Sequence, residues 1–417
     1  MRVGRTLPPA AAPMGWRDFV AGLGAQIDGP RAVQRLETEL EAHFGVRYCF
    51  LVSSGKAALA LILLALKDLH PERDEVVIPA FTCYSVPSSV LRAGLRIKLC
   101  DLGQEGLDFD PAQLSAALFG DERILAVVPT HLYGIAADVA GVRRQVGQRP
   151  VAIVEDAAQA MGEDSGDGKL GTLGDAGFFS LGRGKAFSTV EGGVILTNRD
   201  DLAQALQARL DELPEYGAGA LVALAAKAAA LTALIHPLLF WIPRALPFLR
   251  LGETLFERDF PMRRMSAFQA GLARDWRRRL QAMRGERQAS ALQWLQALRD
   301  LGEREPRIPR APCPALVRFP LRIRNGERRA ALLRESAAEG AGIAPGYPEP
   351  LNRLADLSSV IAAQDCPAAE RAARELVTLP THGYVKNGDV DRLRRLLGRA
   401  LAAGHPQFSN LSGVTPP

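Results

Sequence analysis

The chain has 417 residues, 47% of them hydrophobic and 23% charged, the proportions of a soluble globular protein of two domains or one large one, with a sizeable core. Its net charge of +5 is slight for that length and comes without dense Lys/Arg runs, which argues against a nucleic-acid binder and leaves room for small anionic substrates. Cys49, Cys83, Cys100, Cys313 and Cys366 are odd in number, widely spaced and free of any C-x-x-C pair, so neither zinc nor a disulfide framework is expected and reduced thiols in the cytoplasm are the simplest account.

Residues 1–16 hold no continuous apolar run, so no export signal is expected there. The first two-thirds of the chain alternates short apolar runs with helical patterns. Strands are predicted at 75–79, 95–101, 124–129, 151–156, 176–180 and 193–197, with helices at 55–69, 86–93, 110–118 and 138–145 between most of them. This alternation predicts an α/β fold with right-handed crossovers and a mostly parallel sheet. Ligands in such sheets gather beyond the carboxyl ends of the strands. Glu155 and Asp156, the Pro79 turn and the turn at 130–134 all fall at such ends and are expected to converge on one pocket.

From 218 to 251 the sequence becomes strongly apolar, interrupted by Lys227 and Arg244. The 16 residues between those two, 228–243, fall short of the roughly 20 a spanning helix needs. The favoured expectation is a helical hairpin packed on the body or across a dimer interface. The alternative is an interfacial anchor with Phe240, Trp241 and Phe248 at headgroup depth. A long helix is predicted from 265 to about 301, where apolar residues recur every three or four positions. Beyond it, a strand-like run at 316–323 and helices at 327–339, 368–376 and 390–402 read as a smaller α+β domain. The expected division is a large domain over 1–264, with the apolar insert at about 215–258, and a linking helix with a small C-terminal domain over 265–417.

One segment carries most of the chemistry. Lys185 sits in a turn with glycines at 182, 184, 192 and 193, which mark close backbone approach. A short distance before it, the run 151–156 ends in Asp156. Pyridoxal phosphate requires a lysine to form a Schiff base, a carboxylate at its ring nitrogen and donors for its phosphate. Lys185, Asp156, and Ser180 with the turn Ser54, Gly55 and Lys56 supply candidates for each. The structural alternatives are a solvated lysine and a helix-capping aspartate; His131 reads most simply as a satisfied turn histidine and Cys83 as a small buried hydrophobe. A nucleotide phosphate loop at 182–185 is disfavoured, because Phe179 stands where glycine is needed and Ala186 where Ser/Thr is needed.

The ordered motifs at 53–59, 77–84, 94–101, 129–134, 155–160, 171–193, 264–270 and 378–382 resemble the sugar aminotransferases of the DegT/DnrJ/EryC1/StrS family, pyridoxal-phosphate enzymes of fold type I. The resemblance implies an imine at Lys185, the ring-nitrogen carboxylate at Asp156, a ring contact from Gln159, and phosphate contacts from Ser180, Gly55, Lys56 and Ala57. Cys83 stands where the family usually has a ring-stacking aromatic, for which neighbouring Phe81 or Tyr84 are the candidate substitutes. Lys56 replaces a common threonine and adds a cation at the phosphate. Met262 and Arg263 stand where relatives have Asn-Tyr. Relatives with histidine in place of this lysine act as deoxygenating dehydratases, so Lys185 points to transamination. The implied activity is transfer of an amino group, from glutamate, to a keto group of a nucleotide-linked sugar by a cytoplasmic homodimer. A non-sugar or lipid-linked ketone, or a non-catalytic cofactor-binding regulator, are the alternatives, and the insert adds peripheral membrane contact to the expectation.

Overall fold

The structure, a computed structural model, describes residues 3–104, 106–246, 255–301 and 314–401. Its centre is a seven-stranded sheet built from β1 (Tyr48–Val52), β2 (Glu75–Pro79), β3 (Arg96–Cys100), β4 (Ile124–Val127), β5 (Ala152–Asp156), β8 (Ala176–Ser180) and β9 (Gly193–Thr197). The strand order is β1-β9-β8-β5-β4-β2-β3, and a two-stranded ribbon of β6 (Asp164–Ser165) and β7 (Gly168–Lys169) lies between β5 and β8 in the chain. Pairing is parallel from β8 through β5, β4 and β2 to β3, whereas β9 runs antiparallel to both its neighbours. The expected mostly parallel sheet is therefore present. Most of its members are continuous apolar runs because helices cover both faces; the edge strand β3 carries Arg96 and Lys98.

Those helices are α1 (Trp16–Asp28), α2 (Pro30–Phe44), α3 (Gly55–Leu69), α4 (Ser85–Arg92), α5 (Pro111–Leu118), α6 (Val139–Val146) and α7 (Asp200–Asp211). Their starts follow local chemistry. Ser54, Asp110 and Asp138 each accept a first-turn backbone N–H of the helix that follows, which satisfies one otherwise orphaned donor. Helix α3 is nearly all Leu, Ile and Ala and is buried almost all round, so it runs through the main core rather than over its surface.

The insert forms α8 (Ala218–Leu234), then a turn into the single-turn α9 (Trp241–Arg244). Helix α8 packs on the body: Leu224 and Ala228 are buried with Met14, Val190, Tyr216, Phe268 and Leu272. Phe240, placed at headgroup depth by the anchor alternative, is instead buried with Ala11 and Ile235, because the backbone turn at His236 folds it inward. Phe248 lies outside the described residues, as does Cys313. No described helix is long and apolar enough to cross a membrane.

The helix predicted over 265–301 is two helices, α10 (Ala267–Leu272) and α11 (Trp276–Asp300). Asp275 breaks the run with φ of 56°, a left-handed conformation that Asp tolerates better than most residues. The break lets Trp276 drop into the core and donate from Nε1 to Glu39 at 3.0 Å. Beyond α11, β10 (Phe319–Arg322), β11 (Ala344–Pro345) and β12 (Leu376–Leu379) form an antiparallel sheet in the order β10-β12-β11. Helices α12 (Gly326–Glu339) and α14 (Asn387–Leu401) share its core with Trp294 and Leu298 of α11. Helix α13 (Pro367–Glu375) turns away from that core. The carboxylate of Asp101 at the end of β3 accepts from the amides of Ala368 and Ala369 at 2.9 and 2.8 Å, and the alanines of α13 pack into the core of the large sheet.

His382 ties the C-terminal sheet to the N-terminal arm through a 2.8 Å bond from Nε2 to the carbonyl of Pro8. Burial, with a smaller contribution from the Arg287 cation, lowers its pKa from 6.5 to about 4. A depressed folded pKa gives stability that is full above 6.5 and lost as pH falls through about 4. His382→Gln, which cannot charge, is expected to melt below the wild type at pH 7 and to close that gap as pH falls toward 4. Parallel profiles of melting temperature against pH would refute this role for His382.

Candidate active site

Five segment ends meet at one cavity: the start of α3 after β1, the turns that follow β2 and β4, the end of β5, and the loop that leaves β8. Its lining includes Ser54, Gly55, Lys56, Thr82, Cys83, Asp156, Gln159, Ser180 and Lys185. The amine and the carboxylate picked out from sequence 29 residues apart (185 minus 156) are thus brought together. Parallel pairing of β5 with β8 sets Asp156 opposite Phe178, so Ser180 and the Lys185 loop emerge beside it.

Asp156 is 5% exposed. Burial raises its pKa, an effect opposed chiefly by the charge of Lys185 and less by the Ala158 amide, which donates to its Oδ1 at 3.0 Å. A carboxylate in this position favours a cationic partner in the cavity. Glu155, expected at the same pocket, is not there. Alternation along β5 turns it to the opposite face, where it accepts from the amides of Gly171 and Gly174 at 2.8 and 2.7 Å and meets His131 Nε2 at 2.9 Å. Because His131 Nδ1 accepts from the Ala137 amide at 3.0 Å, the bonding assigns the ring proton to Nε2. His131 reaches the cavity wall with both nitrogens engaged, as a turn residue of structural origin.

Gln159 faces the cavity between two tyrosines. Its Oε1 accepts from the Tyr133 amide and its Nε2 donates to the Tyr347 hydroxyl, both at 2.9 Å. Tyr347 lies in the turn after β11, and nothing in the sequence flags it as a neighbour of Gln159. Tyr84 is not brought to the cavity wall: its hydroxyl exchanges hydrogen bonds with the Glu349 backbone. Phe81 is buried edge-on to Tyr347, with centroids 5.5 Å apart. Neither substitutes for the missing aromatic at Cys83, whose thiol lies 3.2 Å from Ser85 Oγ. The aromatic side chains are instead gathered around Tyr347.

At the start of α3 a Cβ added to Gly55 would lie 2.7 Å from Ser180 Cβ, so only glycine allows the helix N-terminus to approach Ser180 this closely. First-turn amides and the helix dipole favour an anion there. Ala57 does not line the cavity, because its amide is committed to Ser54 Oγ at 3.1 Å. The Lys56 ammonium is turned toward the end of the insert, 2.5 Å from Glu257, and lies 4.7 Å from the centre of the Phe260 ring. Nothing in the sequence marks Thr82. Its hydroxyl is buried at the cavity wall without a partner, an unmet polar group of the kind a ligand satisfies. A buried carboxylate, an amine from another strand, an anion-favouring helix start and this unpartnered hydroxyl together fit pyridoxal phosphate.

Another concavity, of about 1790 Å³, lies elsewhere, between α1, α2 and the start of α11. It is an open groove between exposed charged side chains and holds none of the candidate chemical groups.

Residues 21–219 and 260–397 match the family model described as the DegT/DnrJ/EryC1/StrS aminotransferase family. The chain belongs to this family. The stretch the family model skips, 220–259, covers most of the apolar insert. A GDP-perosamine synthase of Caulobacter vibrioides is 34% identical over 42% of this chain and 46% of its own length, so the chain spans less than half of that curated relative. A UDP-2-acetamido-2-deoxy-3-oxo-D-glucuronate aminotransferase of Pseudomonas aeruginosa is 26% identical over 88% of this chain and 90% of its own. Among solved structures, Helicobacter pylori PseC, an aminotransferase involved in pseudaminic acid biosynthesis, matches with a TM-score of 0.75 at 16% identity. That match covers 95% of this chain and 100% of the other, and it supports the fold type I architecture.

Glu257→Gln removes the anion that draws Lys56 outward. It is expected to tighten pyridoxal phosphate roughly two- to fivefold, the scale of an exposed ion pair, while leaving pyridoxal, which lacks the phosphate, unchanged. Fluorescence titration of both ligands checks this, and equal effects on the two would show that Lys56 does not reach the phosphate.

Proposed function

We propose that this chain is a pyridoxal-phosphate-dependent aminotransferase that takes an amino group from glutamate and delivers it to a keto carbon of a nucleotide-linked sugar. The observation that carries the reading is the shared cavity of Lys185 and Asp156 in a member of an aminotransferase family. When bound, the cofactor supplies an electron sink for charge that develops at the donor carbon.

The residues of the chain do the rest. Asp156 holds a proton on the ring nitrogen, because a desolvated carboxylate is stabilised by a cation in contact with it. Gln159, fixed at both ends of its amide, orients the ring edge. Ser180, Gly55 and the start of α3 bind the phosphate, with Thr82 as an added donor. Nζ of Lys185 would move a proton between the donor Cα and C4′ of the cofactor, and in the second half of the reaction between that C4′ and the sugar carbon that takes the amino group, as an amine positioned for general-base work. Lysine rather than histidine at this position supports amino transfer over deoxygenation.

The active form we propose is a cytoplasmic homodimer. Trp16, Val20, Leu23 and Ile27 are exposed at four-, three- and four-residue spacing on α1, an apolar stripe that a second copy would cover. The second surface is the insert, where Val222, Leu238, Leu239 and Leu246 are exposed. These side chains favour a peripheral lipid contact, and with it a lipid-linked ketone as the alternative acceptor. Light scattering should give the mass of a dimer. Co-sedimentation with anionic liposomes should fall when Leu238 and Leu239 are both replaced by serine; unchanged pelleting would dismiss the lipid contact.

Borohydride treatment of the yellow protein should fix one cofactor adduct, mapped by mass to Lys185. Lys185→Ala should lower amine formation on nucleotide-linked keto sugars by roughly 10²–10⁴-fold, the usual contribution of a positioned base. A protein that takes up no pyridoxal phosphate, or an adduct on another lysine, would overturn the assignment.

A further inference from the structure

Arg287 of α11 is 2% exposed, and its hydrogen bonds go to three backbone carbonyls rather than to a carboxylate. Nη1 donates to Ala186 O at 2.7 Å, and Nη2 to Lys185 O at 3.0 Å and Ala11 O at 3.1 Å. Burial lowers its pKa from 12.5 to about 10, the mark of a charge held in a costly place. A planar fork of donors suits this task, since it can hold several acceptors in fixed directions.

Two of the carbonyls it holds, at 185 and 186, belong to the loop between β8 and β9; the third, Ala11 O, ties that loop to the N-terminal arm. The far part of that loop is secured by other means: Leu181 N donates to Gly192 O at 2.8 Å, Thr189 N to Leu181 O at 3.0 Å, and Gln269 Nε2 to Glu191 O at 2.8 Å. The near part is not. Gly184 turns with φ of 73° immediately before the lysine, and the local bonds there are long, from Gly182 N to Ser180 Oγ at 3.4 Å and from Lys185 N to Gly182 O at 3.3 Å.

We propose that Arg287 is the positioning residue for Lys185: by clamping the carbonyls at 185 and 186 it fixes the direction in which the lysine side chain leaves the loop, and so keeps Nζ in the cavity facing Asp156. The proposal rests on the aminotransferase reading above. Removing the clamp leaves the phosphate contacts and Asp156 in place. It therefore affects covalent attachment of the cofactor and not its reversible docking.

The test uses the full chain with Arg287→Met, Arg287→Lys and, as a control, Arg284→Met. Arg284 lies one turn earlier on α11 and pairs with Glu163 at 2.8 Å, away from the lysine loop. Three quantities are read: melting temperature without cofactor, the rate at which pyridoxal phosphate becomes borohydride-fixed at Lys185, and the affinity for pyridoxamine phosphate, which lacks the aldehyde. Arg287→Met should slow fixation roughly 10- to 100-fold, the scale of a misplaced reacting group, with pyridoxamine phosphate affinity within about twofold of the wild type. Arg287→Lys should recover part of the rate, and Arg284→Met should fix cofactor at the wild-type rate. Fixation by Arg287→Met at the wild-type rate, or an equal slowing in Arg284→Met, would overturn the proposal. If Arg287→Met does not fold, Arg287→Lys decides: a severalfold slowing with intact pyridoxamine phosphate affinity supports the clamp, and no slowing defeats it. Wild-type protein that fixes no cofactor would instead defeat the aminotransferase reading itself.

Discussion

A desolvated carboxylate facing an amine is the constraint around which this molecule is arranged. Asp156 is buried at the end of β5, and its charge is opposed chiefly by Lys185. Such a group is stable in a fold only if the backbone around it is held firmly. Here the Asp156 amide donates to Pro129 O at 2.9 Å, its carbonyl accepts from the His131 amide at 3.0 Å, and Ala157 N donates to Phe178 O at 3.1 Å. Those bonds extend the sheet one step past the strand ends, so the carboxylate is carried by sheet geometry and not by a free loop. Reversal of β9 then closes the lysine loop back against β8, which a further parallel strand, needing a long crossover, would not do.

Two adjacent acids show how strand alternation divides chemistry from architecture. Asp156 faces the cavity, while Glu155 faces the other way and gathers the turn at 171–174 together with His131. The first is left short of partners and can accept a cationic ligand. The second is saturated by amides and a ring nitrogen, and so serves as a fixed post. Their order cannot be exchanged without moving the whole strand by one residue.

Much of this is legible because the strands, apart from β3 with Lys98 at its centre, are apolar runs whose ends carry the polar residues. The positions of β2, β3, β4, β5, β8 and β9 follow from that pattern, and the glycines around Lys185 announce a close approach. What escaped is of two kinds. The pattern does not show helices α1, α2 and α7 or strands β1, β11 and β12; β1 is as apolar as its neighbours but has no preceding helix–strand rhythm to frame it. The other misses are long-range. Tyr347 meets Gln159 across 188 positions, and Arg287 meets the lysine loop across 102 and 101. Arg287 looks like any other cation in an arginine-rich helix until the fold puts three carbonyls around it. The break at Asp275 was hidden for a related reason, since helical spacing continues on both sides of it.

The insert gains a different meaning from where it touches the molecule. Its α8 buries Leu224 and Ala228 beside Val190, a β-branched residue held at φ of 74° in the lysine loop, where such a backbone carries strain. Lys227 of the same helix stands 3.7 Å from Glu191, the next residue of that loop, while Glu257, near the end of the stretch the family model skips, binds Lys56 at the other side of the cavity. The two ion pairs are partly exposed and weak one by one; the apolar packing of α8 is the larger force. It follows that the extra residues pack against a strained segment five positions from the lysine and hold the Lys56 ammonium away from the start of α3. An element that the family model skips thus touches the walls on both sides of the cavity where Lys185 and Asp156 meet.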